Sequence, residues 1–132
     1  MSRERLEAYI LDNRIDARIL VFDKPTRTVE DAEKQLRVSR ERIVKSMLFV
    51  DEKGVPALAI VSGDRKVSEE KLARACSAAK FRVARPRAVK SLTGYEAGAL
   101  PPIGHKKRIR TFIDPKVLGF EKVYGGGGAI NA

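Results

Sequence analysis

The run Ile43-Val44-Lys45-Ser46-Met47-Leu48-Phe49-Val50 leads into Asp51-Glu52-Lys53-Gly54, and Val55-Pro56-Ala57-Leu58-Ala59-Ile60-Val61 follows. Two short apolar runs separated by a polar segment that ends in glycine read as a β-hairpin. Ser62-Gly63-Asp64-Arg65 then turns the chain again. Downstream, Ser68 is placed to cap a helix from Glu69 to about Ala79, with Leu72, Ala75 and Cys76 facing inward. Phe81 to Ala84 reads as a short strand, Arg87 to Leu92 as a helical turn, and Arg108 to Ile113 as a strand broken by Asp114-Pro115. Phe120 to Tyr124 reads as a last strand before Gly125 to Gly128. Upstream, Arg3 to Asn13 reads as a helix with Leu6, Ile10 and Leu11 on one face, and Ala17 to Phe22 as a β-branched strand. Thr28 can cap a helix from Val29 to Leu36, with Glu30 and Asp31 in the first turn where negative charge suits the helix dipole, and Ser39 can cap a short turn. Short helices mixed with hairpins predict an α/β or α+β fold with a mostly antiparallel or mixed sheet.

The chain has 132 residues, 43% of them hydrophobic, which suffices for one core; residues 1–132 read as a single domain. Apolar runs such as Met47 to Val50 and Ala57 to Val61 are far too short to span a bilayer. The charged start, Met1-Ser2-Arg3-Glu4-Arg5, does not read as a signal peptide, so a cytoplasmic protein with no membrane partner is expected. The single cysteine, Cys76, excludes an internal disulfide and a cysteine-based metal cluster, and reads best as a small buried residue on a helix. The single histidine, His105, excludes multi-histidine metal sites. No metal and no cofactor is expected. Net charge is +10, from 27 Lys+Arg against 17 Asp+Glu, and the basic residues recur in Arg37 to Lys45, Lys80 to Lys90 and His105 to Arg110. That balance favours a polyanionic partner, nucleic acid before acidic membrane, although the basic surface of a heat-adapted protein accounts for the same charge.

The candidate chemistry gathers on a loop, Gly94-Tyr95-Glu96-Ala97-Gly98-Ala99-Leu100-Pro101-Pro102-Ile103-Gly104. Three glycines and a Pro-Pro pair forbid a long helix or strand there, yet strand-like sequence lies on both sides. A stiff, backbone-exposing loop set in a core is a common way to build a small-molecule pocket. Lys45 interrupts an otherwise buried strand: it either points to solvent or is aimed into a pocket, where it could bind phosphate or polarise a carbonyl. Gly63-Asp64 and Asp114-Pro115 read most simply as turns, and His105 with Lys106, Lys107 and Arg108 as a solvated basic cluster, phosphate contact being the sharper alternative. Gly125 to Gly128 lacks the lysine, the hydroxyl and the following helix of a phosphate-binding loop, and fits better as a strand end lining a ligand. No catalytic triad, kinase set or dinucleotide fingerprint is present. An enzyme built on this chain must work by positioning, electrostatics and a water molecule.

In order along the chain, Ile43 to Phe49, Gly63-Asp64, Gly94-Tyr95 with Gly98 through Pro102 and Gly104, Ile113-Asp114 and the glycine-rich turn resemble the YbaK / prolyl-tRNA-synthetase-associated editing domain family. The resemblance runs from about Thr28 to Gly128. It implies a barrel-like mixed sheet flanked by helices, and a deacylase that hydrolyses mischarged tRNA, typically proline tRNA carrying alanine, cysteine or another small residue. Members are either inserted in prolyl-tRNA synthetase or free-standing and acting in trans, so mischarged proline tRNA and prolyl-tRNA synthetase are the implied partners. Lys45 matches the family's lysine that contacts the terminal region of the substrate, and Gly98 through Pro102 matches the Gly-x-x-x-Pro loop whose backbone helps place the scissile carbonyl and the water. Lys45, Gly98 and Pro102 are therefore the implied catalytic set. Ser46, Gly63, Asp64, Gly94, Tyr95, Ala99, Leu100, Pro101, Gly104, His105, Asp114, Gly126 and Gly127 are the implied substrate-binding set, with Ala99 and Leu100 setting pocket size.

Two departures from the family pattern stand out. The segment Ile19-Leu20-Val21-Phe22 lacks the tyrosine that some cysteine-specific members carry nearby, and relatives commonly continue past the glycines with a further strand and helix. Either this member is short or a tail is missing, and a missing tail would leave a sheet edge or a pocket wall without its cover. Two other readings share the charge: a tRNA-binding or synthetase-associated module of the same fold without hydrolysis, and a generic basic protein. The pairing of Lys45 with Gly98 to Pro102 favours the enzyme.

Overall fold

The computed structural model describes residues 2–132. The hairpin forms as read: β1 (Val44–Asp51) and β2 (Pro56–Ser62) pair antiparallel, with Lys45 opposite Val61, Ser46 opposite Ile60 and Leu48 opposite Leu58. Asp51 stabilises the turn, its Oδ1 accepting from the Lys53 and Val55 amides at 2.8 Å each. Around it lie the helices α1 (Ser2–Asp12), α2 (Val29–Leu36), α3 (Glu69–Ala75), α4 (Pro86–Thr93) and α5 (Pro115–Leu118), and the strands β3 (Phe81–Val83) and β4 (Arg110–Ile113). The sheet order is β3-β1-β2-β4, antiparallel except for the parallel β2–β4 pair.

The sheet is thus mixed and flanked by helices, as the resemblance implies. It is open, however, and not closed into a barrel: four strands form it. The physical reason lies in the two segments that read as further strands. Ala17 to Phe22 is irregular, and Phe22 is held to the chain end through its amide to the Asn131 carbonyl (2.8 Å) and its carbonyl to Asn131 Nδ2 (2.9 Å). Phe120 to Tyr124 contributes a single bridge, Tyr124 to Ile43, made by Val44 N to Tyr124 O at 2.7 Å and Tyr124 N to Arg42 O at 2.8 Å. Neither segment offers a ladder on which a barrel could close.

Side chains alternate across β1 and sort the core into two layers. Val44, Leu48 and Val50 join Leu58, Ile60, Tyr95, Leu100 and Val117, with Leu6 of α1. Phe49 joins Ala57, Ala59, Phe81, Leu72 and Ala73 of α3, and Met47 packs on that layer. Buried residues of this size each contribute about 1.5–3 kcal/mol, so the two layers carry most of the fold.

Local capping decides the helix ends. Thr28 Oγ1 accepts from the Asp31 amide at 3.1 Å, and Ser68 Oγ from the Lys71 amide at 3.2 Å, as read from the sequence. Ser39 caps a 3₁₀ turn over Arg40–Arg42. Helix α3 ends at Ala75 rather than near Ala79, because Ser77 turns left-handed (φ 54°) and Glu52 caps the following stretch, accepting from the Ala79 and Lys80 amides at 3.2 Å each. As a result Ala73, not Ala75, faces the core with Leu72, and Cys76 is half-buried. In α1, Leu6 is buried and Ile10 packs beside it, whereas Leu11 is 75% exposed, being rotated too far from Leu6 to share its face. No described helix is long and apolar enough to cross a membrane.

Candidate active site

The loop from Gly94 to Gly104 is built from its two ends. Gly94 ends α4 in the left-handed region (φ 84°) that favours glycine, its amide bonding Lys90 O at 2.9 Å. Thr93 Oγ1 donates to Val89 O at 2.6 Å and accepts from the Tyr95 amide at 3.1 Å. Tyr95 is fully buried, and its hydroxyl donates to Gly104 O at 2.8 Å, which staples the loop across its base. Burial raises the Tyr95 pKa, so the phenol stays a donor at any working pH. His105 stands edge-on to Tyr95, with ring centroids 6.2 Å apart at 86°. Its Nε2 lies 2.7 Å from Pro101 O, and because a carbonyl only accepts, Nε2 carries the proton.

Between these anchors the loop turns its side chains inward. Ala99, Leu100 and Pro101 are buried, Leu100 within the main core layer, and Pro102 is half-buried. The side chains of Ala99 and Leu100, read from the resemblance as setting pocket size, are thus packed in the interior. The glycine run presses against that backbone. Gly128 N donates to Ala99 O at 3.0 Å, and a methyl on Gly126 would lie 2.8 Å from the Leu100 carbonyl carbon. A methyl on Gly125 would meet Val44 Cγ2 at 3.1 Å and Pro102 Cδ at 3.2 Å, so the loop, the glycine run and the start of β1 converge. Gly127 N in turn donates to Ala132 O at 3.1 Å.

Lys45 and Ser46 follow Val44 along β1 and leave it on opposite faces. Alternation puts Lys45 on the side of Met47 and Phe49, where α3 packs, and Ser46 on the side of Val44 and Leu48, where the loop packs. Both are half-buried. The Ser46 hydroxyl is buried and has no hydrogen-bond partner in the protein. A buried hydroxyl without a partner costs about 1–3 kcal/mol, so its retention at this place calls for a reason.

The remaining candidate residues are engaged in holding the scaffold. Gly63 donates to Ile43 O at 2.6 Å and lies where a methyl would be 2.7 Å from both Arg40 O and Val29 Cγ1, so it lets α2 and the 3₁₀ turn close on the end of β2. Asp64 accepts from Lys116 Nζ at 2.6 Å and from Ser62 Oγ at 2.7 Å, and these bonds bring its pKa down to about 2. Lys116 also reaches Glu41 at 3.4 Å, and its own pKa is raised, chiefly by the bond to Asp64. Asp114 caps α5 through the Lys116 amide at 3.0 Å and pairs with Arg65 at 3.2 Å; the capping bond is the main cause of its lowered pKa. Gly104 (φ 78°) receives Leu6 and Tyr9 of α1, a methyl there being 3.1 Å from Leu6 Cδ1. Of the sequence-predicted residues, Ser46 lies on the loop side of β1 with its hydroxyl unpartnered, while Lys45 leaves the same strand on the α3 side.

His105 gives a pH prediction. Burial pushes its pKa below the ordinary 6.5, outweighing the opposing effect of the Pro101 bond. The native state thus holds fewer protons than the unfolded chain between the lowered value and 6.5. This contribution to stability is complete above about pH 6.5 and is lost as pH falls from there through the lowered native value. Melting temperature measured from pH 7.5 to 5 is expected to fall more for the native sequence than for His105→Asn. Parallel profiles would show that His105 does not stay neutral in the fold.

A cleft of about 440 Å³ lies elsewhere, lined by Val21, Phe22, Lys24 and, from the end of α2, Lys34 and Arg37. It does not include the loop. One neighbour of the loop had no signal in the sequence: a methyl on Gly98 would meet Arg27 Nε at 3.3 Å and Arg27 Cβ at 3.5 Å, so the Arg27 side chain lies over Gly98.

Comparison with known proteins shows the family. The family model described as "Aminoacyl-tRNA editing domain" matches residues 23–132. A proline–tRNA ligase of Brachyspira hyodysenteriae is 32% identical over 101 residues, 76% of this chain and 18% of the ligase. The chain spans less than a fifth of the length of the proline–tRNA ligases it matches. EbsC of Enterococcus faecalis, named as a candidate Cys-tRNA(Pro)/Cys-tRNA(Cys) deacylase, is 29% identical over 86 residues, 65% of this chain and 52% of that protein. A crystal structure of a candidate trans-editing enzyme for prolyl tRNA synthetase superposes with a TM-score of 0.84 and 31% identity, covering 98% of this chain and 82% of that one. With the family model covering all but the first 22 residues, the chain belongs to the aminoacyl-tRNA editing domain family.

Proposed function

We propose that this chain is a trans-acting deacylase that cleaves the ester between a wrongly attached small amino acid, such as alanine or cysteine, and proline tRNA. The observation that carries the proposal is the Gly98–Pro102 loop, packed with its side chains inward and its backbone against Gly126 to Gly128. Of its amides, Ala99 N is already bonded to Glu96 O at 3.0 Å and the two prolines have none. Gly98 and Leu100 are therefore the donors assigned to the carbonyl oxygen as it gains charge. Water attacks the ester carbon, the bond to the ribose oxygen breaks, and the water proton ends on that oxygen, releasing free amino acid and intact tRNA. An aminoacyl ester is already activated, so positioning and a few aligned donors suffice, which agrees with a site that has no side-chain nucleophile. Such an activity complements a synthetic site, which cannot reject a smaller side chain by more than about 1–3 kcal/mol. The +10 charge supplies long-range attraction for the tRNA backbone.

Lys45 is assigned to the terminal region of the tRNA and Ser46 to the aminoacyl end. Because the two leave β1 on opposite faces, a substrate engaged by both straddles the end of the strand. Ser46→Ala separates function from stability. Removing a buried hydroxyl that has no protein partner should leave stability unchanged or raise it by about 1 kcal/mol, while deacylation of alanyl-charged proline tRNA falls at least several-fold. Denaturant melts and single-turnover deacylation read the two effects. Full activity would remove Ser46 from the site.

A further inference from the structure

We propose that Arg27 is a substrate-positioning residue of this same site, gripping a phosphodiester of the single-stranded 3′ end of the tRNA; the inference rests on the deacylase reading above. Its side chain lies along Gly98, the first residue of the loop, with Nε, Cβ and Cγ at 3.3, 3.5 and 3.6 Å from the position a methyl would take there. The packing is possible because residue 98 has no side chain.

The backbone that carries Arg27 is fixed on both sides. Thr26 N donates to Ile130 O at 2.6 Å and Thr26 Oγ1 to Ala132 O at 3.3 Å. Thr28 caps α2. Ala132 O also accepts from Gly127, and Gly128 donates to Ala99. A closed circuit results: Gly98 and Ala99, the glycine run, Ala132, Thr26, Arg27 and back to Gly98. The backbone that carries Arg27 is therefore tied to the frame of the loop, while its guanidinium stays exposed beside Gly98.

Among the described residues no carboxylate pairs with it, and Arg27 is exposed. By contrast Arg40 and Arg65 are each paired with a carboxylate. An arginine anchored at its stem, with its five donors unclaimed and beside the backbone assigned to the scissile carbonyl, suits an anion that offers two terminal oxygens to the guanidinium fork. In an aminoacylated tRNA the nearest such groups to the ester are the phosphodiesters of the terminal nucleotides. Arg27 thus fixes the distance from phosphate to carbonyl, and with it the register of the ester on the loop.

The test compares native protein, Arg27→Ala and Arg27→Lys on two probes, alanyl-charged proline tRNA and alanyl-adenosine, which has the ester and ribose but no phosphate. Arg27→Ala should lower kcat/KM on the tRNA by about 10-fold or more and leave hydrolysis of alanyl-adenosine within about 2-fold, with an unchanged melting temperature. Arg27→Lys, which keeps the charge without the fork, should fall between. Equal losses on both probes, or none on the tRNA, would overturn the role of Arg27 while leaving the deacylase reading intact. Inactivity of the native protein on the charged tRNA would instead overturn that reading and the inference with it.

Discussion

Lys45→Ala is expected to lower the deacylation rate of charged proline tRNA by about 100-fold at saturating tRNA, the scale seen when one positioned donor is removed from a site working by electrostatics. The expectation follows from its place: half-buried on β1, next to Val44 at the strand end that meets the glycine run, and followed by Ser46, whose buried hydroxyl has no protein partner. Strand alternation makes the result informative in a second way. Lys45 leaves β1 on the α3 side, away from the loop. If its work is on the reacting end, kcat falls with KM little changed. If it only holds the tRNA backbone, the loss appears in KM and vanishes at saturation. Full activity at saturating tRNA would remove Lys45 from catalysis.

Gly126→Ala is expected to destabilise the protein by about 3 kcal/mol, at the upper end of overpacking costs, against a total stability of about 5–15 kcal/mol for a domain. The methyl would come 2.8 Å from the Leu100 carbonyl carbon and closer still to the Leu100 oxygen. Those are backbone atoms of a residue buried in the core, so relief requires moving the loop itself. Gly98→Ala is the matched control. There the nearest atoms belong to the exposed side chain of Arg27, which can swing aside, so stability should change by less than about 1 kcal/mol while activity drops through the displaced guanidinium. Urea melts of the two variants compare them directly. Equal destabilisation would mean that Gly98 is as tightly enclosed as Gly126 and that the loop is merely structural.

The parts of this fold that were legible in the sequence are those decided within a few residues. Thr28 with Glu30 and Asp31, Ser68 with its helix start, and Asp51 to Gly54 each carry their own capping or turn chemistry, and each formed as read. The misreadings share a cause. Ala17 to Phe22 and Phe120 to Tyr124 have strand-like composition, yet whether a segment becomes a strand depends on an available partner edge. Here the partners are Asn131 for the first and Ile43 for the second, one bond pair each, so no ladder grows. Leu11 and Ala75 were misplaced by a fraction of a helical turn, which apolarity alone does not resolve.

Motif order nominated Lys45, Ser46, the loop and the glycine run as the candidate site. Which of these residues the fold itself ties up was not legible, because it depends on contacts distant in sequence. Asp64 is occupied by Lys116, Asp114 by its cap and Arg65, Tyr95 by Gly104, and Gly63 by the approach of Val29 and Arg40. Arg27 was hidden for the same reason: its neighbour Gly98 lies 71 residues away in the chain.

The decisive measurement is release of amino acid from proline tRNA charged in turn with alanine, cysteine, serine and proline, by the native protein at moderate ionic strength, against an enzyme-free control. Rapid hydrolysis of at least one of the small wrong charges, with prolyl-charged tRNA spared, is the expected result. Binding of the tRNA with every ester left intact would contradict the deacylase assignment and leave a tRNA-binding module of the same fold.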